Sequence, residues 1–373
     1  MAQVAHPGSA APRIPVHLFS GFLGSGKSTL INRLLAHPGL RRAAVIVAEA
    51  GDVRVDRALI AARPDMLRVI DHGCLCGEVH DEIASSMLEL LRGQGTRGEP
   101  IDALFIEPSG LSDPVPIIQT LLTDRKVSQF FELRTVITVV DGVQGLESLH
   151  TQTVATKQLA VADTIVISKA DRIAGAQDLR ELHDRLAASN PDAVRHVAVH
   201  GDVEPARLLR ASAYAGERDD ASRVRLHAVN RAQGVRRADA VVPVRSFSVV
   251  HRGDIDMPGF VLWLNLIAGQ FGGGLLRMKG VACIDGRGYA VHAVQSVISE
   301  PVELEAGRYT PGESVFTFIV RGLDEQQLRA TLDVLRFRGA PAASAGARID
   351  PARYALFKDV LSRFRSLQLP ASA

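Results

Sequence analysis

The chain has 373 residues, room for two domains of ordinary size with proper cores. Hydrophobic residues make up 46% and charged residues 23%, the balance of a soluble globular protein, and a net charge of +2 gives no reason to expect nucleic acid or an anionic membrane as partner. Three cysteines cannot form a disulfide framework, so a reducing cytoplasm is the expected setting.

The opening stretch MAQVAHPGSAAP lacks the basic and apolar regions of a signal peptide, and residues 1–13 are expected to be a disordered leader. From residue 14 to 205, short runs rich in Val and Ile alternate with amphipathic segments. The runs at 14–20, 43–48, 66–70, 103–107, 136–141, 164–168 and 194–199 each fit a buried strand, and 27–35, 77–91 and 176–188 have helical length. That alternation predicts an α/β domain with a mostly parallel sheet covered on both faces.

Residues 206–240 change character. The stretch ERDDASRVRLHAVNRAQGVRRADA reads as an exposed linker or a partly helical bridge. A smaller α+β domain is expected over 241–337: a strand in VVPVRSFSVV, a helix in MPGFVLWLNLIAGQF with Pro258 near its start, three further strands, then the helical DEQQLRATLDVL. Residues 338–350, RGAPAASAGARID, read as a flexible linker. In 351–373, a helix with Tyr354, Phe357, Val360, Leu361 and Phe364 at helical spacing is expected to dock on the body rather than bind a partner. The most apolar span, 260–268, is far too short to cross a bilayer.

The segment GFLGSGKS at 21–28 matches G-x-x-x-x-G-K-[ST] at every fixed position, after a strand and before a helix. Such a loop wraps backbone N–H groups around phosphate oxygens, while the helix N-terminus adds its dipole. The expected contacts are Gly21, Gly24, Ser25, Gly26, Lys27, Ser28 and Thr29, with Lys27 reaching the β- and γ-phosphates and Ser28 offering its hydroxyl to Mg²⁺. A second acid is needed near that ion. DALFIE is an apolar strand ending in Glu107, which can hold Mg²⁺ through water, and the Gly110 of the following PSGLSDP, which also carries Asp113, suits a loop that approaches the γ-phosphate.

The base is addressed by TIVISKAD, a strand ending in Ser168, Lys169 and, two residues on, Asp171. This resembles the N-K-x-D motif by which GTPases read guanine: the acid accepts hydrogen bonds from N1 and N2, a pattern adenine cannot offer, and the Lys stem packs over the ring. Ser168 stands where Asn is usual, and that Asn normally braces the phosphate loop.

These residues together resemble the CobW family of P-loop GTPases, which includes metallochaperones for cobalt and zinc and activators of nitrile hydratase. The segments that carry the resemblance are GFLGSGKSTLINRLL, VIVAEAGDVRVDRALI, HGCLCGEV, IDALFIEPSGLSDP, VITVVDG, QLAVADTIVISKAD and PGFVLWLNLIAGQFGGGLLRMKG, in that order from about residue 14 to 335. The resemblance implies a GTPase domain followed by a CobW C-terminal-like domain. It also implies GTP/GDP, Mg²⁺ and Zn²⁺ or Co²⁺ as ligands, and delivery of the metal to a client metalloprotein. It makes 48–56 the switch segment, with Glu49 and Asp52 as its acids, although Ala48, Ala50 and Arg54 depart from the family pattern.

The family's C-x-C-C metal motif appears here as Cys74-Leu75-Cys76-Gly77, without the third cysteine. Thiolates at this spacing can bind one borderline ion, and Cys76 falls at the expected start of the 77–91 helix, a position that favours thiolate. Cys74, Cys76 and His80 form a possible ligand set, with His72, Glu78 or Glu49 as further candidates; His80 taken alone reads rather as a solvated helix histidine, while the family context favours metal binding over a buried structural role for the two cysteines. Cys283 reads as a small hydrophobe in a strand. The leading expectation is a GTP-hydrolysing metallochaperone. The alternatives are a GTP-dependent interaction switch that activates a metalloenzyme without holding metal at the cysteine pair, and a small-molecule kinase, against which Asp171 argues.

Overall fold

In a computed structural model, the described residues are 13–40, 42–50, 66–72, 78–97, 100–209, 244–271, 273–299 and 301–338; side chains at 49–50, 71–72, 78–81 and 93–97 are outside this description. Residues 1–12 of the expected leader, most of the expected linkers at 206–240 and 338–350, and the expected C-terminal helix therefore lie outside the described residues. Those described fall into two compact units, the first built on a seven-stranded sheet and the second on a six-stranded one.

The first unit runs β1 (Ile14–Ser20), α1 (Lys27–Leu35), β2 (Ala43–Ala50), β3 (Leu67–His72), α2 (Glu78–Arg97), β4 (Ala103–Pro108), α3 (Val115–Thr123), the single turn α4 (Arg125–Ser128) and β5 (Phe131–Asp141). It continues with α5 (Gly145–Thr151), α6 (Thr153–Ala160), β6 (Thr164–Ser168), α7 (Ala176–Ser189), β7 (Val194–Val197) and the single turn α8 (Pro205–Leu208). The strands pair in the order β3-β2-β4-β1-β5-β6-β7, and every pairing is parallel.

Central strands of such a sheet are apolar on both faces, and alternation divides them between two cores. Phe19, Val45, Phe105, Val139 and Val166 face Leu30, Ile31 and Leu34 of α1. Val140, Ile165 and Ile167 face Leu149, Leu159, Leu182 and Leu186 of α5, α6 and α7. The apolar stripe expected on the second helix is buried at Ile83, Met87 and Leu90. The run at 194–199 differs from the buried strand expected of it: β7 ends the sheet, and Val194 and Val197 are exposed there.

The second unit comprises β8 (Val244–Arg252), α9 (Met257–Phe271), β9 (Leu275–Ile284), β10 (Arg287–Val294), β11 (Val297–Ile298), β12 (Val302–Glu303), β13 (Glu313–Arg321) and α10 (Glu325–Thr331). Its sheet is antiparallel, in the order β11-β10-β9-β13-β8, with β12 beside β10. Trp263 of α9 is its centre, 4.5 Å from the Phe316 ring and donating its indole N–H to Thr331 Oγ1 at 2.8 Å. Cys283 is buried in β9, where its sulfur accepts from the Gly312 N–H. No helix among the described residues is long and apolar enough to cross a membrane.

Candidate nucleotide and metal site

In a parallel sheet the carboxyl ends of all strands open on one edge, and ligands sit where strand order reverses. Here β1 lies between β4 and β5, so the loops after β1, β4, β5 and β6 meet at that edge.

The loop after β1 is the phosphate-loop sequence. Gly21 has φ 141°, and a Cβ there would stand 2.3 Å from the Val139 carbonyl oxygen, so only glycine lets the chain turn this tightly over β5. The first turn of α1 has no acidic residue and no side-chain cap, which leaves its N–H groups to an anion. Lys27 is nearly buried, and its ammonium donates to the carbonyls of Gly21 at 2.9 Å and Phe22 at 3.4 Å. It is thus already folded over the hollow of the loop.

Beneath the loop the Ser28 hydroxyl donates to Glu107 Oε1 at 2.8 Å, from α1 to the end of β4. A hydroxyl and a buried carboxylate so close together are hard oxygen donors of the kind Mg²⁺ takes, and the two residues fit that ion.

At the end of β6, Ser168 replaces the Asn of the guanine-reading pattern yet keeps its bracing task. Its hydroxyl donates to the Ser25 carbonyl at 2.6 Å, with the Val140 carbonyl 3.3 Å away. Lys169 sits at φ 52° and pairs with Asp141 at 2.6 Å. Burial raises the Asp141 carboxyl, but the hydrogen bond from Lys169, those from the Val143 and Gln144 N–H groups and the Lys169 charge outweigh it and hold the group below its ordinary value. Asp171 follows in a single 3-10 turn, exposed and open to a base.

The loop after β4 is fastened twice. Asp113 accepts the Val115 N–H at 3.1 Å, just ahead of α3, and the Lys157 ammonium at 2.6 Å. Gln158 donates its amide to the carbonyls of Gly110 and Ser112, both at 3.1 Å. Asp141, Lys157 and Gln158 are not among the residues that the sequence motifs point to. The strand-end position of Asp141 was a usable signal; a Lys-Gln pair inside a helical segment offers none.

Asp52, Cys74, Cys76 and Gly77 lie outside the described residues, as do the side chains of Glu49, His72, Glu78 and His80. Among the described residues no group of three or more His, Cys, Asp or Glu is placed to hold a metal ion. The backbone still fixes where both segments begin. Glu49 is opposite Asp71 and Ala50 opposite His72 in the β2–β3 pairing, and Val47 is opposite Glu107 in the β2–β4 pairing. Strands β2 and β3 therefore end side by side, on the Glu107 side of the phosphate loop.

Known proteins share this architecture. Residues 15–196 match the CobW/HypB/UreG nucleotide-binding domain, and 244–336 match the cobalamin synthesis protein cobW C-terminal domain. The chain is 31% identical over 326 residues to the zinc chaperone YjiA of Escherichia coli, covering 87% of this chain and 99% of that protein. It is 30% identical over 246 residues to the zinc chaperone CobW of Pseudomonas aeruginosa, covering 57% of this chain and 64% of that protein. A crystal structure of Zn(II)-bound YjiA GTPase from E. coli has the same fold, with a TM-score of 0.62 at 24% identity over 87% of this chain and 100% of that one. With both family domains in order and a full-length relative at this identity, the chain belongs to the CobW family.

Proposed function

We propose that this protein is a GTP-hydrolysing zinc metallochaperone in which nucleotide state governs the binding and release of zinc to a client metalloprotein. The observation that carries the reading is the order of strand ends β3-β2-β4-β1, which sets His72 and Ala50, the last described residues before the cysteines and the rest of the proposed switch, on the same sheet edge as Glu107 and the phosphate loop. The relatives' names support zinc as the cargo; they give no support to cobalt.

In this reading the backbone of residues 21–26 cradles the phosphates, and Lys27 leaves the Gly21 and Phe22 carbonyls for the β- and γ-phosphate oxygens. Ser28 and Glu107 hold Mg²⁺, which supplies charge neutralisation at those oxygens. Asp171 accepts the guanine N1–H and N2–H. The Lys169 stem covers the ring while Asp141 fixes its ammonium, and Ser168 ties the base loop to the phosphate loop. Hydrolysis then rests on positioning and charge stabilisation. Glu49, Asp52, Gly110 and Asp113 form the switch, which is ordered by the γ-phosphate and released when it departs. Zinc is carried by Cys74 and Cys76, with His80 as the further ligand in place of the cysteine that Gly77 lacks.

The test is turnover and zinc content of the purified chain. GTP is hydrolysed in preference to ATP, and zinc stoichiometry falls in the Cys74→Ser, Cys76→Ser double variant while Lys27→Ala abolishes turnover. Equal zinc content in the double variant and the wild type, or equal turnover of GTP and ATP, contradicts the reading.

A further inference from the structure

Gln158 is the one polar side chain of α6 that lies fully inside the first unit, 1% exposed, and it takes no part in the chemistry described above. Its backbone is anchored: Thr138 of β5 donates its hydroxyl to the Gln158 carbonyl at 2.8 Å, and Thr138 is paired with Ser20, the last residue before the phosphate loop. The side chain spans from this anchor to the loop after β4. Its amide nitrogen donates one hydrogen to Gly110 O and the other to Ser112 O, using both donors on carbonyls two residues apart.

Those carbonyls belong to the stretch that presses on the phosphate loop. A Cβ at Gly110 would stand 2.6 Å from the Leu23 nitrogen and 2.8 Å from its Cα, so the two backbones touch. Two bonds to a single planar carboxamide fix the Gly110–Leu111 and Ser112–Asp113 peptide planes, and with them the direction in which the Leu111 and Asp113 N–H groups point. Lys157, the preceding residue, holds the far end of the same loop through Asp113. Helix α6 leads through Asp163 straight into β6, whose end carries Ser168, Lys169 and Asp171. Helix α6 and strand β6, joined by three residues, thus connect the loop after β4 with the loop after β6.

We infer that Gln158 is a positioning residue for γ-phosphate recognition: its carboxamide sets the 110–112 backbone against the phosphate loop, so that the loop distinguishes a triphosphate from a diphosphate. The inference rests on the GTPase reading. GDP touches the phosphate loop and the base loop but has no γ-phosphate for the 110–112 backbone to meet, so removing the carboxamide acts on the triphosphate state alone.

The test is isothermal titration of GDP and of a non-hydrolysable GTP analogue, both with Mg²⁺, against the wild type and Gln158→Met, which keeps the volume and removes both donors. Loss of two neutral hydrogen bonds predicts a fall of about tenfold or more in analogue affinity and in kcat, with GDP affinity within about twofold. Equal losses for the two nucleotides, or no change in either, overturn the inference. A wild type that binds neither guanine nucleotide overturns the GTPase reading itself, a result distinct from an unaltered variant. Gln158→Glu provides a second readout should the Met variant not fold. Its carboxylate faces two carbonyl oxygens when ionised and donates to one of them when protonated, so its deficit relative to wild type shrinks as pH falls. A pH-independent deficit overturns the inference.

Discussion

The Ser168 hydroxyl donates to the Ser25 carbonyl oxygen at 2.6 Å, joining the end of the sixth strand to the phosphate loop 143 residues earlier. The bond explains how a serine serves where the guanine-reading pattern has asparagine: the bracing atom is needed, and the shorter side chain reaches because β5 between them brings the loops close. Ser168→Ala removes one buried hydrogen bond and leaves the Ser25 carbonyl without that donor. The expected result is a loss of about threefold to tenfold in affinity for GDP and GTP alike, with the preference for guanine over adenine unchanged. Calorimetric titration of the four nucleotides checks it; a changed base preference contradicts a purely bracing role.

In the proposed function base choice rests on Asp171. Its carboxylate would accept two N–H groups from guanine, whereas xanthine presents a carbonyl in place of the N2 amine. Asp171→Asn offers a donor where that carbonyl falls and loses an acceptor where guanine has its amine. The variant should lose about a hundredfold in GTP affinity and gain affinity for XTP, as each mismatched polar contact is left unpaired. Competition binding with the two nucleotides measures this, and a variant with unaltered GTP affinity removes Asp171 from the base site.

Glu107 and Ser28 make the acid-hydroxyl pair under the phosphate loop. Glu107→Gln keeps the shape and removes the charge. Nucleotide affinity in the presence of a chelator should stay within about twofold of wild type, while the gain in affinity on adding Mg²⁺ disappears and kcat falls about a hundredfold or more. A Mg²⁺ titration of turnover in both proteins checks it; an unchanged Mg²⁺ dependence contradicts the assignment.

His17 gives the first unit an acid-sensitive core. It is almost wholly buried in β1, against Phe105, and burial, helped by the Arg134 charge, pushes its pKa down to about 3. The unfolded chain has the ordinary value of 6.5, so it takes up the proton first. The contribution of neutral His17 is therefore complete above pH 6.5 and is lost progressively as pH falls toward about 3. Between pH 6.5 and 5 the loss from this group is about 2 kcal/mol. Urea unfolding of the wild type and His17→Phe at several pH values isolates it: the variant should lack that component, and identical slopes contradict it.

Much of the site was legible because its chemistry is local. The phosphate loop is a contiguous string whose glycines, Lys27 and Ser28 each have a reason to stand where they do, and β1 and α1 fall on the bounds that periodicity gives them. Glu107 and Asp171 were readable as acids at strand ends. Asp141 carries the same strand-end signal, but its pairing with Lys169, 28 residues on, does not show in the sequence, and Gln158 carries no signal at all, since its partner Gly110 is 48 residues away and meets it only after the sheet assembles. The bracing role of Ser168 was hidden for the same reason. The edge position of β7 was equally out of reach, because a short Val-containing run looks alike at the centre and the rim of a sheet.

In the proposed function, nucleotide state and zinc affinity are coupled through adjacent strand ends. Its most direct test is a Zn²⁺ titration of the chain saturated either with GDP or with a non-hydrolysable GTP analogue, both with Mg²⁺. Coupling of ordinary size predicts zinc affinities that differ by about tenfold or more between the two states. Linkage requires the ratio of nucleotide affinities to change by the same factor when zinc is bound. Indistinguishable zinc affinities in the two states would contradict the account.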